Sequence, residues 1–401
     1  EGGFMKQMTA KEKRAYDDWL LICKRIETTT KTSISETAKE KKERIKRLLK
    51  PENFEKFIQY YFGTEDFKPA PLAWFHKKAI DNLFVEKRRK HIWEWHRESA
   101  KSVFADIFIP IHMLISGTLT GMILASENGD KANNLIKDVE AQLRNNQRLI
   151  ADFGDFGITG SWLQGFFQTN KQIGFWAFGL GQNPAGVRNG FKRPNLGLVD
   201  DADNMAKAKN ETLTKSRGEW IKGEFMCCLA KDNRYFVYLN NRVHPKGITA
   251  KLVGDVEKND AKDESYAHIK AYLTEHPITH EAMFPISGNE TEVLADLVDK
   301  GAVPAWKEYY SLEDAVAKIV DYGHIGITDH DVDYVYKVNG VQYKGGHGIT
   351  LLPCATITDF SGCIGLEYWV IYSKINPEKS YLLATSFEYE MFNLKVPDNL
   401  K

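Results

Sequence analysis

Cysteine is scarce. The 401 residues carry five, at positions 23, 227, 228, 354 and 363, with no C-x-x-C pair and no regular spacing. That scatter excludes a cysteine zinc site and a disulfide framework, and it predicts reduced thiols in a cytosolic setting. Charge of one sign is not in excess either, because 54 Lys and Arg balance 54 Asp and Glu. No bulk positive charge announces nucleic acid, so any such contact has to come from local patches. The opening "EGGF" before Met5 has neither a basic nor an apolar leader segment, and no signal peptide is expected there.

Uninterrupted apolar runs are also missing. Ser102 to Ser126, "SVFADIFIPIHMLISGTLTGMILAS", has the length of a membrane span, which needs about 20 apolar residues. Asp106, Pro110 and His112 interrupt it, and Gly117, Thr118 and Thr120 divide it. It reads as a buried helix, a turn and the strand "GMILAS", with no membrane association. No internal repeat or low-complexity tract is visible.

What is present is a chain that is 43% hydrophobic and long enough for two or three domains. Residues 6–50 are dense in Lys, Arg and Glu at helical spacing, as in "ISETAKEKKERIKRLL", where Ser35 and Glu36 are expected to open a helix. Pro51 starts a short aromatic helix, "PENFEKFIQYYF". From about residue 70 to 245, short apolar strands alternate with helical segments, the pattern of an α/β protein with a mainly parallel sheet. "KHIWEW", "GMILAS", "IGFWAFGLG", "RPNLGLVDDAD" and "NRYFVYLNN" read as strands, and residues 128–154 as one long amphipathic helix. Later, "SLEDAVAKIV" reads as a helix capped by Ser311, and "ATITDFSG", "LEYWVIYSKI" and "SYLLATSFEY" as strands of a hairpin-rich sheet.

Four segments carry chemistry. In "WEWHRESAKSVFAD", Lys101 and Ser102 fill the last two places of the phosphate-loop pattern G-x-x-x-x-G-K-[ST], while Trp95 and Ala100 stand where its glycines belong. "NLGLVDDAD" is an apolar strand ending in Asp200 and Asp201; ATP hydrolysis needs one carboxylate to hold Mg2+ and a second to orient the attacking water. "RYFVYLNNRVHPKGITAKL" is a strand with a polar exit at Asn240 and Asn241, where such ends can sense a phosphate. "GLGQNPAGVRNGFKRPN" is a Gly-rich loop whose Arg188, Lys192 and Arg193 suit a phosphate backbone.

Taken in chain order, the four segments resemble the large terminase subunit of tailed bacteriophages and prophages, from about residue 35 to 325. "HRESAKSV" is similar to a glycine-poor Walker A loop, "GQNPAGVRNGFKRPNLGLVDDAD" to the approach to Walker B, and "NNRVHPKGITAKLVGD" to the coupling motif. The resemblance implies a P-loop NTPase core at residues 51–260 behind a charged helical segment at 1–50. A lid or linker at 261–345 and a partial RNase H-like nuclease region at 346–401 would follow. It implies ATP and Mg2+ as cofactors, with Ser99, Ala100, Lys101 and Ser102 at the phosphates, Ser102 and Asp200 on the metal, and Asp201 as the catalytic carboxylate where many relatives carry Glu. Arg97 would act as an arginine finger in cis, Trp74 or Phe75 would cover the adenine, and Asn241 and Arg242 would couple hydrolysis to movement.

The same resemblance implies double-stranded DNA, a portal protein and a small terminase subunit as partners, a homo-pentamer on the portal, and the cytoplasm of a bacterial host. Asp359 would be the first ligand of two nuclease metals, Mg2+ or Mn2+. Phe360 replaces a common Pro, and only 42 residues follow Asp359, so the nuclease region is expected to be incomplete. The rival expectations are another nucleic-acid ATPase of helicase type, and a non-catalytic docking protein with a degenerate loop.

Overall fold

The computed structural model describes residues 8–32, 35–65, 67–188, 190–208, 210–243, 247–259, 265–283, 285 and 289–322, together with strands at 335–338, 341–344, 368–371 and 381–384. Asp359 lies outside them.

Three helices lead in. α1 (Ala10–Thr29) is capped by Thr9 with Glu12. α2 (Ala38–Leu48) is capped by Thr37 with Glu40 rather than opened by Ser35 and Glu36, because only the Thr37 spacing completes a capping box. α3 (Phe54–Phe62) follows a single tight turn at Pro51. After α4 (Trp74–Ile80) comes β1 (Lys90–Trp95), then the loop 96–100 and a helix that begins with a wide π-type stretch, Val103–Phe108, and ends as α5 (Ile109–Ile115).

β2 (Met122–Ser126) leads to α6 (Gly129–Asn145) and α7 (Gln147–Phe153). The single long helix expected here is broken at Asn146, whose side-chain oxygen accepts the N–H groups of Arg148 and Leu149 and so caps α7. β3 (Thr159–Ser161), β4 (Phe166–Gln168), β5 (Gly174–Gly179), β6 (Leu196–Asp200), α8 (Met205–Ala208), α9 (Glu211–Trp220) and β7 (Tyr235–Leu239) come next. α10 (Ile248–Asn259) and β8 (Tyr266–Ala271) complete the central layer.

The eight strands form one sheet in the order β3-β4-β5-β2-β6-β7-β1-β8, parallel from β5 to β8 and antiparallel only at β3 and β4. β1 therefore lies between β7 and β8, and its connection to β2 passes over β7 and β6. The alternation of side chains along each strand builds two cores. Trp93, Trp95, Leu124, Leu196, Leu198 and Leu239 face α3 to α6, and the N-terminal Trp19 and Cys23 join that core. Ile92, Ile123, Val199, Phe236 and Tyr238 face Trp220, Phe225 and Leu252 on the other side.

Beyond the sheet, β9 (Thr274–Glu275) and β10 (Val303–Pro304) pair antiparallel, while α11 (Glu290–Asp299) and α12 (Leu312–Tyr322) share a small core of their own. Ser311 caps α12 as expected, accepting the Asp314 N–H at 3.1 Å. The strands Val335–Val338 and Val341–Lys344 form one hairpin, and Tyr368–Ile371 with Tyr381–Ala384 another antiparallel pair. Among the described residues, Cys23, Cys227 and Cys228 are free thiols, and no helix is long and apolar enough to cross a membrane.

Candidate nucleotide site

All six parallel strands end on one edge of the sheet, where α/β proteins bind ligands. The loop after β1 and the end of β6 meet there. Asp200 follows Leu196 and Leu198 by the period of two, so its side chain points to the face covered by the helix that starts at Lys101. It is 1% exposed. Burial raises its carboxyl above the ordinary value, and a hydrogen bond with Ser102 and the Lys101 charge act against that rise. Lys101 and Ser102 are thus brought together with Asp200, which lies 98 residues beyond Ser102 in sequence.

The loop achieves its shape without glycine. Glu98 and Ala100 both take left-handed backbone conformations, φ 62° and 57°, the geometry that a glycine adopts without strain. Three side chains support it. The buried His76 binds the Ser99 carbonyl through Nε2 at 2.9 Å. From beyond the sheet, the Tyr310 hydroxyl donates to Glu98 Oε2 at 3.0 Å, and Lys318 pairs with the same carboxylate.

Asp201 also has a left-handed backbone, φ 52°, and its side chain is 53% exposed, 3.9 Å from Lys131 Nζ. Lys131 in turn binds Glu127 at the end of β2 at 2.8 Å, and Lys207 and Asn204 bind the same carboxylate. Asn240, fully buried at the end of β7, bridges the site: its N–H donates to the Trp93 carbonyl at 3.1 Å and its side-chain oxygen accepts the Asp203 N–H at 3.2 Å. Asn241 is half-buried. Arg242 is buried against Glu94 of β1, Nε to Oε1 at 2.8 Å, with His268 of β8 on the other carboxylate oxygen at 3.0 Å.

Arg97 is exposed on the loop. Phe75 is fully buried in the core, 4.8 Å from Trp95, which leaves it no open ring face, whereas Trp74 is half-buried, stacked on His280 at 4.1 Å and bonded to Glu275 at 2.8 Å. Arg188, Lys192 and Arg193 are not part of this edge. Arg193 donates to the Cys227 carbonyl at 2.6 Å, and the residues 192–195 lead into the opposite end of β6.

Asp106, His76, Glu98 and Glu127 are not singled out by their sequence context. Only Asp106 leaves a trace there, as an interruption in an apolar run. Among the described residues, no group of three or more His, Cys, Asp and Glu side chains forms a metal cage.

No protein-family model and no curated protein matches the chain. Solved structures do. The HK97 bacteriophage large terminase is similar at 13% identity over 69% of this chain and 52% of that one, with a TM-score of 0.41. The large terminase of a thermophilic bacteriophage in complex with ADP is similar at 10% identity over 50% of this chain and 45% of that one, TM-score 0.33. A variant ATPase domain of the Thermus phage P74-26 large terminase matches at 10% identity over 55% of this chain and 86% of that one, TM-score 0.39. The chain spans about half the length of the full large terminases it matches. Solved structures to which this chain is similar are thus phage large terminases, the family that its sequence resembles.

Proposed function

We propose that the chain is a Mg2+-dependent ATPase whose hydrolysis moves double-stranded DNA, the motor of a large terminase. The observation that carries the reading is the convergence of Lys101, Ser102 and the buried Asp200 at the carboxyl edge of the sheet, with Asn240 of the intervening β7 tied to both neighbouring strand ends. An ammonium, a hydroxyl and a carboxylate in that arrangement fit a polyphosphate and its ion.

The donor set suits Mg2+, which takes oxygen ligands: the Ser102 hydroxyl and an Asp200 carboxylate with one oxygen that accepts no hydrogen bond from a described residue. Bound with ATP, the ion would neutralise charge on the phosphates. In this reading Lys101 and the N–H groups of Ser99 and Ala100 hold the phosphates, Asp201 orients the attacking water, Arg97 neutralises the transferred phosphoryl, and Trp74 covers the base. Asn241 and Arg242 couple the cycle to movement, with Glu94 fixing the Arg242 guanidinium. The ATPase domain is proposed at residues 51–260, and β8, which follows it, pairs with β1 in the same sheet.

Large-terminase function would bring a portal protein, a small terminase subunit and a pentameric assembly. A nuclease at Asp359 with two divalent metals belongs to the same proposal. The first test is phosphate release from ATP with Mg2+, with and without linear duplex DNA. Turnover should fall by orders of magnitude in Lys101→Ala and in Asp200→Ala, since the phosphate clamp and the metal ligand carry much of the electrostatic stabilisation. Near-unchanged turnover in both variants would refute the assignment.

A further inference from the structure

Ser102 and Asp106 stand four residues apart on the helix that covers Asp200, so the two side chains share a face. Asp106 is 1% exposed, and neither of its carboxylate oxygens accepts a hydrogen bond from a described residue. The Asp200 carboxyl lies within hydrogen-bonding reach of it, a bond that forms only if one of the two acids keeps its proton, and Asp138 and Asp201 add further negative charge. A buried carboxyl with no donor is costly, and a second acid beside it adds repulsion.

Counting the unsatisfied oxygens shows what fits. Both oxygens of Asp106 and Oδ1 of Asp200 lack a donor. A proton shared between the two carboxyls supplies one donor for three acceptors. A hydrated divalent ion supplies several, because Mg2+ keeps part of its water shell when it binds. We propose that Asp106 is a further carboxylate of the Mg2+ site, accepting hydrogen bonds from the water shell of an ion held by Ser102 and Asp200. The inference rests on the ATPase reading and adds to it an acidic residue from the phosphate-loop helix itself.

The test titrates Mn2+ into the chain with ADP and reads free Mn2+ by electron paramagnetic resonance; ADP affinity in excess chelator is measured beside it. Asp106→Asn keeps the shape of the side chain, and Asp106→Ser leaves a smaller one. A variant that holds metal-free ADP affinity within about twofold should lose about tenfold or more in ADP-dependent Mn2+ affinity, the usual effect of removing a partner around a metal's ligands. Unchanged Mn2+ affinity in Asp106→Asn overturns the inference and leaves the ATPase reading standing, since the amide mimics a protonated acid. Absence of ADP-dependent Mn2+ binding in the unsubstituted chain overturns both.

Discussion

His76 suspends the Ser99 carbonyl from α4. Its Nδ1 accepts the Ala73 N–H at 3.2 Å, which leaves Nε2 to carry the proton and donate it to Ser99 at 2.9 Å. Burial lowers this imidazole to about 3, so it stays neutral. His76→Leu keeps the volume and removes the donor, stranding a buried carbonyl at a cost of about 1–3 kcal/mol. Denaturant unfolding should show that loss, and the KM for ATP should rise because the loop is no longer held. A variant as stable as the parent would show that the bond contributes nothing.

Ala100 occupies the place of a glycine and adopts the glycine conformation. A left-handed backbone costs a non-glycine residue about 1–2 kcal/mol, against about 0.5–1 kcal/mol of extra chain entropy lost by glycine. Ala100→Gly is therefore expected to hold or raise the melting temperature with phosphate release retained. Ala100→Val, β-branched at a positive φ, should lower both. Equal damage from the two substitutions would mean that strain at this position is not what matters.

His112 sits among Phe54, Phe57 and Phe84, each with its ring centre 5.0 Å away, and burial lowers it to about 4. As pH falls from about 6.5, the unfolded chain takes up a proton that the folded one refuses. The stability due to this group is thus complete above about 6.5 and is lost toward 4. At about 1.4 kcal/mol per pH unit, His112→Phe should gain on the parent by about 2 kcal/mol between pH 7 and pH 5. Paired unfolding curves at the two pH values would measure it, and a difference independent of pH would contradict a neutral buried His112.

Arg188, Lys192 and Arg193 surround a fully exposed Phe191. Arg188, Phe191 and Arg193 line a cleft of about 540 Å3 with Asn183 and Glu224. Lys192 and Arg193 line a second cleft, of about 600 Å3, with Lys87 and Lys231. The triple Ala variant should weaken duplex DNA binding and flatten its salt dependence by about 0.9 log unit for each phosphate that is no longer neutralised. Phosphate release without DNA should not change, because the loop enters β6 at the end away from Asp200. Unaltered affinity and slope would remove the loop from DNA binding.

The sheet was legible where an apolar run ends in residues that cannot continue a strand. β1, β2, β5, β6 and β7 all have that form, and their order along the chain placed Lys101 and Ser102 at the turn into a helix and Asp200 and Asp201 at a strand end. β3 and β4, three residues each, are too short for a period to appear, and α9 carries too polar a sequence, "ETLTKSRGEW", to declare a buried face. β8 alternates clearly in "YAHIKA", yet nothing local says that it pairs with β1, far upstream in the chain. His76 and Asp106 were unreadable for the same reason: a buried polar side chain gains meaning only from what lies across from it.

The position of β1 has a consequence for synthesis. Its two neighbours, β7 and β8, pair His91 with Val237 and with Ala267. A nascent chain that has emerged as far as α6 therefore exposes both edges of the strand that leads into the proposed phosphate loop. Such long-range pairing is slow to form and open to wrong partners while it waits. The Glu98 pairing with Lys318 comes later still. The segment proposed to bind nucleotide is made early and organised late, so a stalled or clipped chain ending before β7 would present both unpaired edges of β1, and the Ile92 face that Phe236, Tyr238 and Leu252 cover, to the solvent rather than a weak ATPase.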